Sequence, residues 1–380
     1  MVVAFRETLA GLERDLADAG SAARLYLQPV GLVTGAVARV MIADGRACAV
    51  AGGPLAATAG EVAIRTGNRI RRIVIGMAEL SGWAEQSEVP AAARLRTLLQ
   101  RIEAPRHGPS DGPRLMGVVN VTPDSFSDGG EHLDPAAALA HCEALAAAGA
   151  DILDIGGEST RPGAMPVSPE DEIARVRPVL EGLRERRAGL PGIDLSIDTR
   201  HADVMRAAIE AGIDIINDVT ALTGEPDSLV VAATSKARIV LMHMQGRPPT
   251  MNLAPAYDDV ALDLFDFLEA RIEACLTAGI ERRRLIVDPG IGFGKRVREN
   301  LEILRRLSLF HGLGCPILLG VSRKGLRPGQ ERLSPKERIS TSLAAAMHAL
   351  LQGVQMLRVH DVAETRQVIE LWRRLADTEC

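Results

Sequence analysis

The stretch "ADILDIGGESTRPGA", Ala150 to Ala164, begins as a strand and ends as something else. Isoleucines and leucine crowd its first half, and two glycines, an acid, two hydroxyls and an arginine follow directly. A strand buried on both faces reads as a near-continuous apolar run. A tip this polar and flexible is where a rigid scaffold presents side chains to a ligand. The arrangement recurs: apolar segments of strand length stand at 114–122, 150–157, 194–199, 214–219, 237–244, 284–290, 315–322 and 355–361.

Helix signals fill the intervals. Asp134 before Pro135 reads as an N-cap and first helical position, and Ser168-Pro169-Glu170-Asp171 as a capped, acid-rich first turn. Gly149, Gly212, Gly279 and Gly353 each follow an Ala- or Leu-rich periodic stretch, as glycines just past a helix end do. Eight strand–helix units over 114–380 predict an α/β fold, a (β/α)8 TIM barrel. An open doubly wound sheet is the alternative, but it normally has fewer strands and gathers its polar tips at one switch point.

The segment "RHGPSDGPR" (106–114) interrupts periodicity on both sides. It divides the chain into an appendage (1–105), a linker (106–113) and the barrel (114–380). Within the appendage, "VARVMIADGRACAVAGG" predicts a hairpin around Asp44-Gly45 and "PAAARLRTLLQRIEA" a helix, hence a small N-terminal α+β unit. No chemical constellation stands out there, so a packing or assembly role is expected.

Bulk properties exclude several classes. A net charge of -5 leaves no overall basic field for nucleic acid or anionic lipid, and 3% aromatics argue against base-stacking surfaces. The five cysteines are odd in number, scattered and without a C-x-x-C pair, which argues against both a disulfide framework and a zinc site and for a reducing cytoplasm. The N-terminal "MVVAFRETLAGLERDLADAG" lacks a signal-peptide core, and no run reaches the roughly 18 apolar residues of a membrane span.

Chemistry in such a barrel gathers at the C-terminal mouth. The strand endings supply Asn120 and Thr122, Asp154, Glu158 to Arg161, Asp198, Asn217 and Asp218, His243, Asp288, Ser322 to Lys324, and Arg358 to Asp361. Singly, each reads as a cap, a loop anchor or a satisfied core residue; together they read as one pocket. "DPGIGFGK" (288–295) is not a P-loop, since Gly290 precedes Gly294-Lys295 by three residues and Arg296 follows. No G-x-S-x-G or H-E-x-x-H occurs. What remains is hydrogen-bonding Asp and Asn with a cationic set of Arg161, Lys324, Arg358 and His360. That inventory suits a flat nitrogen heterocycle bearing a phosphorylated arm.

"MGVVNVTPDSFSDGG" (116–130), "DIGGESTRPGA" (154–164), "SIDT" (196–199), "INDV" (216–219), "MHMQGRPPTM" (242–251), "DPGIGFGK" (288–295), "SRKG" (322–325) and "RVHDV" (358–362) together resemble the dihydropteroate synthase family. The resemblance implies a Mg2+-dependent, homodimeric transferase that joins (7,8-dihydropterin-6-yl)methyl diphosphate to 4-aminobenzoate and releases diphosphate. It implies Asn120 as the metal ligand and Asp198, Asn217, Asp288 and Lys324 around the pterin, with Met242 and Phe293 as apolar walls. Thr160, Arg161, Arg358 and His360 would engage the diphosphate, and Ser322 the aminobenzoate carboxylate. Loops holding Asp124 to Phe126 and Ser159 to Gly163 would close over the aminobenzoate, with Asp124, Arg161 and Lys324 as the catalytic set. One position departs: many family members carry lysine where this chain has His201 in "DTRH". Three other readings stay open at this stage: a pterin-dependent corrinoid methyltransferase, a non-catalytic pterin-binding homologue, and a Schiff-base role for Lys324.

Overall fold

The computed structural model describes residues 9–19, 23–106, 112–122, 134–159, 165–246, 251, 255–327, 329–330, 333–334 and 336–377. The appendage comes first. Helix α1 (Leu9–Ala19) precedes β1 (Arg24–Thr34), α2 (Gly35–Ala43), β2 (Cys48–Ala49), β3 (Leu55–Thr66), β4 (Arg69–Gly76), α3 (Met77–Gln86) and α4 (Pro90–Glu103). Its strands form a four-stranded antiparallel sheet in which β3 pairs with β1, β2 and β4. The expected helix is α4, with Pro90 in its first turn.

The expected hairpin at Asp44-Gly45 is not formed. Those residues end α2 instead: Gly45 has φ 69°, its N–H bonds to Ile42 O at 3.0 Å, and Arg46 N–H reaches Met41 O at 2.8 Å. An Asp-Gly pair suits a tight hairpin turn and a left-handed helix stop equally well, and here the apolar run before it coils.

Eight parallel strands follow: β5 (Arg114–Asn120), β6 (Ile152–Gly156), β7 (Asp194–Asp198), β8 (Ile215–Asp218), β9 (Arg238–Met242), β10 (Leu285–Asp288), β11 (Leu318–Gly320) and β12 (Met356–Val359). They pair in the order β10-β9-β8-β7-β6-β5-β12-β11. A bridge between Val287 and Ile317 joins the two ends, so the sheet closes and the doubly wound alternative falls. Helices α5 (Pro135–Ala147), α6 (Pro169–Glu185), α7 (Ala202–Glu210), α8 (Ser228–Thr234), α9 (Val260–Thr277), α10 (Val297–Arg305), α11 (Ile339–Leu351) and α12 (Val362–Asp377) lie between and after the strands.

The sequence signals become specific bonds. Asp134 accepts from Ala136 N, and Ser168 Oγ accepts from Asp171 N. Gly149, Gly212, Gly279 and Gly353 all adopt positive φ. At Gly149 the N–H bonds to Ala146 O while Ala150 N–H bonds to Leu145 O, and the other three sites repeat this double closure. Such a stop leaves the next residue pointing inward; Ala150, Ile213, Ile280 and Val354 are all buried.

Period two along the strands orders the barrel interior. Met116, Ile152, Ile215, Val240, Ile286, Leu318 and Met356 form one apolar cluster at the barrel floor. Residues two positions further share its inward direction, and they include Asp154, Asn217, Met242, Asp288 and Arg358. The floor seals the barrel, and the rung above it is mostly polar.

The appendage packs against the turn at 307–313 and α12, and its side chains reach across to α9. It presents cations to the acidic face of α9. Arg65 bonds Asp263 at 2.6 Å, Arg94 holds Glu269 through two bonds of 2.8 and 3.0 Å, and Tyr26 Oη donates to Asp266 at 2.8 Å. Asp259, the N-cap of α9, bonds both Arg72 of the appendage and the buried Arg306, the latter at 2.8 Å.

Candidate active site

Asp154 sits at the centre of the mouth, fully buried on the rung above the floor. It accepts from Ser196 Oγ at 2.6 Å, Asn217 Nδ2 at 3.1 Å and Arg358 Nε at 2.7 Å. Arg358 also donates through NH2 to Asp198 Oδ2 at 2.5 Å. One guanidinium therefore fixes two carboxylates, and a bidentate fork suits that task better than an ammonium. Its two carboxylate partners keep Arg358 protonated, raising its pKa despite the burial that opposes charge.

Asp198 closes β7 with one oxygen on Arg358 and the other, Oδ1, buried and without a hydrogen-bond partner. Burial pushes its pKa up to about 7, with Arg358 opposing and Asp154 adding to the rise. Asp288 closes β10, where Oδ1 accepts from Gly290 N at 2.7 Å; burial raises its pKa to about 6. Two buried carboxylates whose pKa values lie near neutrality are poised to accept N–H groups from a ligand.

Facing them is an apolar wall. Met242 and Phe293 pack with Val219 and Met251, with Met244 alongside. Lys324 Nζ lies 4.3 Å from the Phe293 ring centroid, within cation–π range. A flat ring bounded by thioethers and a phenyl on one side and carboxylates at its edge matches this geometry.

The loop after β10 is held by a different lysine. Lys295 is buried and donates to Gly290 O at 2.8 Å, Phe293 O at 2.9 Å and His243 O at 3.1 Å, with His243 Nδ1 at 3.0 Å. Burial lowers the Lys295 pKa to about 7 and that of His243 to about 2. His243 is thus a neutral partner, and its ring also meets Phe267 edge-on at 4.9 Å. Gly290 belongs where it is: φ is 70°, and an added Cβ would stand 2.0 Å from His243 O. Asp218 is a loop anchor, accepting from Thr220 N and Leu222 N.

Ser322 and His360 meet at the ends of β11 and β12. Ser322 Oγ accepts from His360 N at 3.1 Å and lies 3.2 Å from His360 Nδ1, while Asp361 takes Arg323 through two bonds of 3.1 and 2.6 Å. Asn120 ends β5 half-buried, in register with Gly156. Of the residues expected at the site, Asp198, Asn217, Met242, Asp288, Phe293, Ser322, Lys324, Arg358, His360 and Asn120 all stand on or beyond barrel strand ends at the C-terminal mouth. Asp124, Thr160 and Arg161 lie outside the described residues.

Residues 116–360 match the pterin binding enzyme family. The chain is 44% identical to the dihydropteroate synthase of Escherichia coli strain K12 over 259 residues, 68% of this chain and 90% of that protein. The chain belongs to the dihydropteroate synthase family. The synthase of Neisseria meningitidis serogroup B is 47% identical, with 70% of this chain and 93% of that one covered. A Xanthomonas albilineans dihydropteroate synthase structure with 4-aminobenzoic acid superimposes at a TM-score of 0.65 and 47% identity, covering 71% of this chain and 95% of that one. Another from the same organism, in complex with 7,8-dihydropteroate, gives 0.63 and 44% over the same shares. Like its family, the protein is a transferase with a TIM-barrel fold.

Membership accounts for the barrel and leaves the appendage outside the match. Asp154 stands out in the sequence only as a strand-end residue; its role follows from the barrel, because an acid on an inward rung must be held by partners. Val219 and Met251 gave no signal, because an apolar wall residue looks like any core residue until the backbone closes.

Proposed function

We propose that the barrel mouth binds (7,8-dihydropterin-6-yl)methyl diphosphate and 4-aminobenzoate and joins them to give 7,8-dihydropteroate and diphosphate. One observation carries this reading: the buried, unpartnered Asp198 Oδ1 beside an Arg358-organised carboxylate pair, opposite the Met242–Phe293 wall. The pterin edge donates N–H groups to Asp198 and Asp288, Asn217 meets donor and acceptor atoms together, and the ring lies against Phe293 with Lys324 at its rim. The 4-aminobenzoic acid and 7,8-dihydropteroate carried by the Xanthomonas albilineans structures support the same pair of substrates.

The arylamine nitrogen is already unprotonated at neutral pH, so attack on the pterin methylene needs no strong base. Its lone pair forms the C–N bond, the C–O bond to diphosphate breaks, and the ammonium proton passes to solvent or to the departing diphosphate. Departure is the harder half. Electron density from the pterin ring shares the positive charge on the methylene, and Lys324 and His360 at the mouth serve the leaving anion; Arg161, expected in the same role, lies outside the described residues.

Asn120 offers a hard carboxamide oxygen at the end of β5, and one neutral oxygen plus diphosphate and water suits Mg2+. When bound there, the ion neutralises charge on the diphosphate oxygens. We assign residues 1–105 and 114–380 to two units joined by 106–113, working as a homodimer in a reducing cytoplasm. The described cysteines Cys48, Cys142, Cys275 and Cys315 are free and buried, in keeping with that compartment. Among the described residues no helix is long and apolar enough to cross a membrane.

Product formation tests the reading. Incubated with both substrates and Mg2+, the chain is expected to yield dihydropteroate and diphosphate in equal amounts, resolved by chromatography. No dihydropteroate under these conditions rejects it.

A further inference from the structure

Beside the pterin pocket lies a second polar cluster that the condensation does not use. Glu172, in the first turn of α6, is fully buried, and neither carboxylate oxygen meets a well-aligned hydrogen-bond partner; Thr199 is the hydroxyl within reach. His201, the N-cap residue of α7, is also buried. Its Nδ1 lies 2.5 Å from Glu225 Oε1, which leaves Nε2 buried and without a partner. Donor atoms of Glu158, Glu172 and His201 come within 4.8 Å of one another. Buried polar atoms without partners are rare, and here they occur on two neighbouring residues beside a third carboxylate.

We propose that Glu158, Glu172 and His201 form a binding site for a divalent transition-metal ion of the zinc class, separate from the Mg2+ that accompanies diphosphate. The ligand types fit. Carboxylate oxygen and imidazole nitrogen are zinc donors, whereas Mg2+ prefers oxygen and water. Metal-binding histidines characteristically engage a carboxylate through the other ring nitrogen, and Glu225 stands in that place. Glu225 is itself fixed, since its Oε2 accepts from Ala202 N at 2.8 Å.

Charge and distance agree. Arg200 holds Glu158 through two bonds of 2.8 and 2.9 Å, so it offsets one of the three carboxylates at the cluster. With Glu158, Glu172 and Glu225 ionised, two negative charges remain for a divalent ion. Ligand atoms around tetrahedral zinc stand roughly 3.3 Å apart, so side-chain rotations of about an ångström close the set. Lysine at position 201 would neutralise the same carboxylates but could not ligate while protonated; histidine turns an ion-pair position into a donor. The ion would clasp the end of β6, the start of α6 and the β7–α7 junction.

The test uses the full chain, stripped with chelator and then dialysed against Zn2+ in excess Mg2+. One equivalent of zinc is expected to stay bound, and Co2+ in its place should give the visible absorption of a nitrogen–oxygen site. His201→Ala and Glu172→Gln should each weaken binding at least ~100-fold, and Glu225→Gln roughly 10–100-fold. His201→Lys keeps a cation among the carboxylates and guards against misfolding: its melting temperature should match that of the zinc-free wild type and no longer rise with added Zn2+. Failure to retain zinc, or retention unchanged in His201→Ala and His201→Lys, overturns the proposal. Neither outcome depends on the substrate assignment.

Discussion

Asp198 and Asp288 are carboxylic acids that the fold holds where ionising is costly, with pKa values raised to about 7 and about 6 by burial. In the unfolded chain both titrate near 3.9. Because the folded values are higher, each group contributes stability that is fully present below the unfolded pKa and is lost as pH rises through 6 to 7. Asp198→Asn should therefore raise the melting temperature more at pH 8 than at pH 5, in scans of the protein without substrates. Substrate capture has the opposite sign, since an ionised carboxylate is the better N–H acceptor; kcat/KM should fall as pH drops below about 7. A flat difference between variant and wild type across pH 5 to 8 would remove Asp198 as a perturbed group.

At the scale of elements, the eight strands were legible because barrel strands are buried on both faces and so read as unbroken apolar runs. All eight expected segments contain an observed strand, and the four expected glycine stops close as double-bonded helix ends. Inward direction was not legible. Only the closed register shows that Asp154, Asn217, Asp288 and Arg358 share parity with the apolar floor, while Asp218, one residue on, turns away to anchor its own loop. Asp44-Gly45 shows the same ambiguity, a local signal with two three-dimensional uses, and here it ends a helix. Lys295 gives the element-scale prediction. Its ammonium satisfies three loop carbonyls, so Lys295→Ala strands them and should cost about 2–4 kcal/mol of unfolding free energy. Lys324→Ala should lower turnover at least ~10-fold with the denaturation midpoint kept, because Lys324 lies over the Phe293 face toward the pocket.

Across the whole molecule, appendage and barrel meet through ion pairs that converge on the first half of α9. Asp259 caps that helix and pairs with Arg72 and the buried Arg306. Asp259→Ala leaves two guanidiniums without their shared partner, and a cost of about 3–5 kcal/mol is expected by calorimetry; Arg24→Ala, on an exposed pair, should change stability by less than about 1 kcal/mol. The appendage braces the flank of the barrel along α9, and function rests on the polar rung above the sealed floor. Titration calorimetry of a 6-hydroxymethyl dihydropterin into wild type and Asp288→Asn measures that rung directly. Binding is expected to weaken ~100-fold in the variant, about the worth of one charge-assisted hydrogen bond, with the melting temperature preserved. Affinity within a factor of three of wild type would contradict the assignment of the pterin to this mouth.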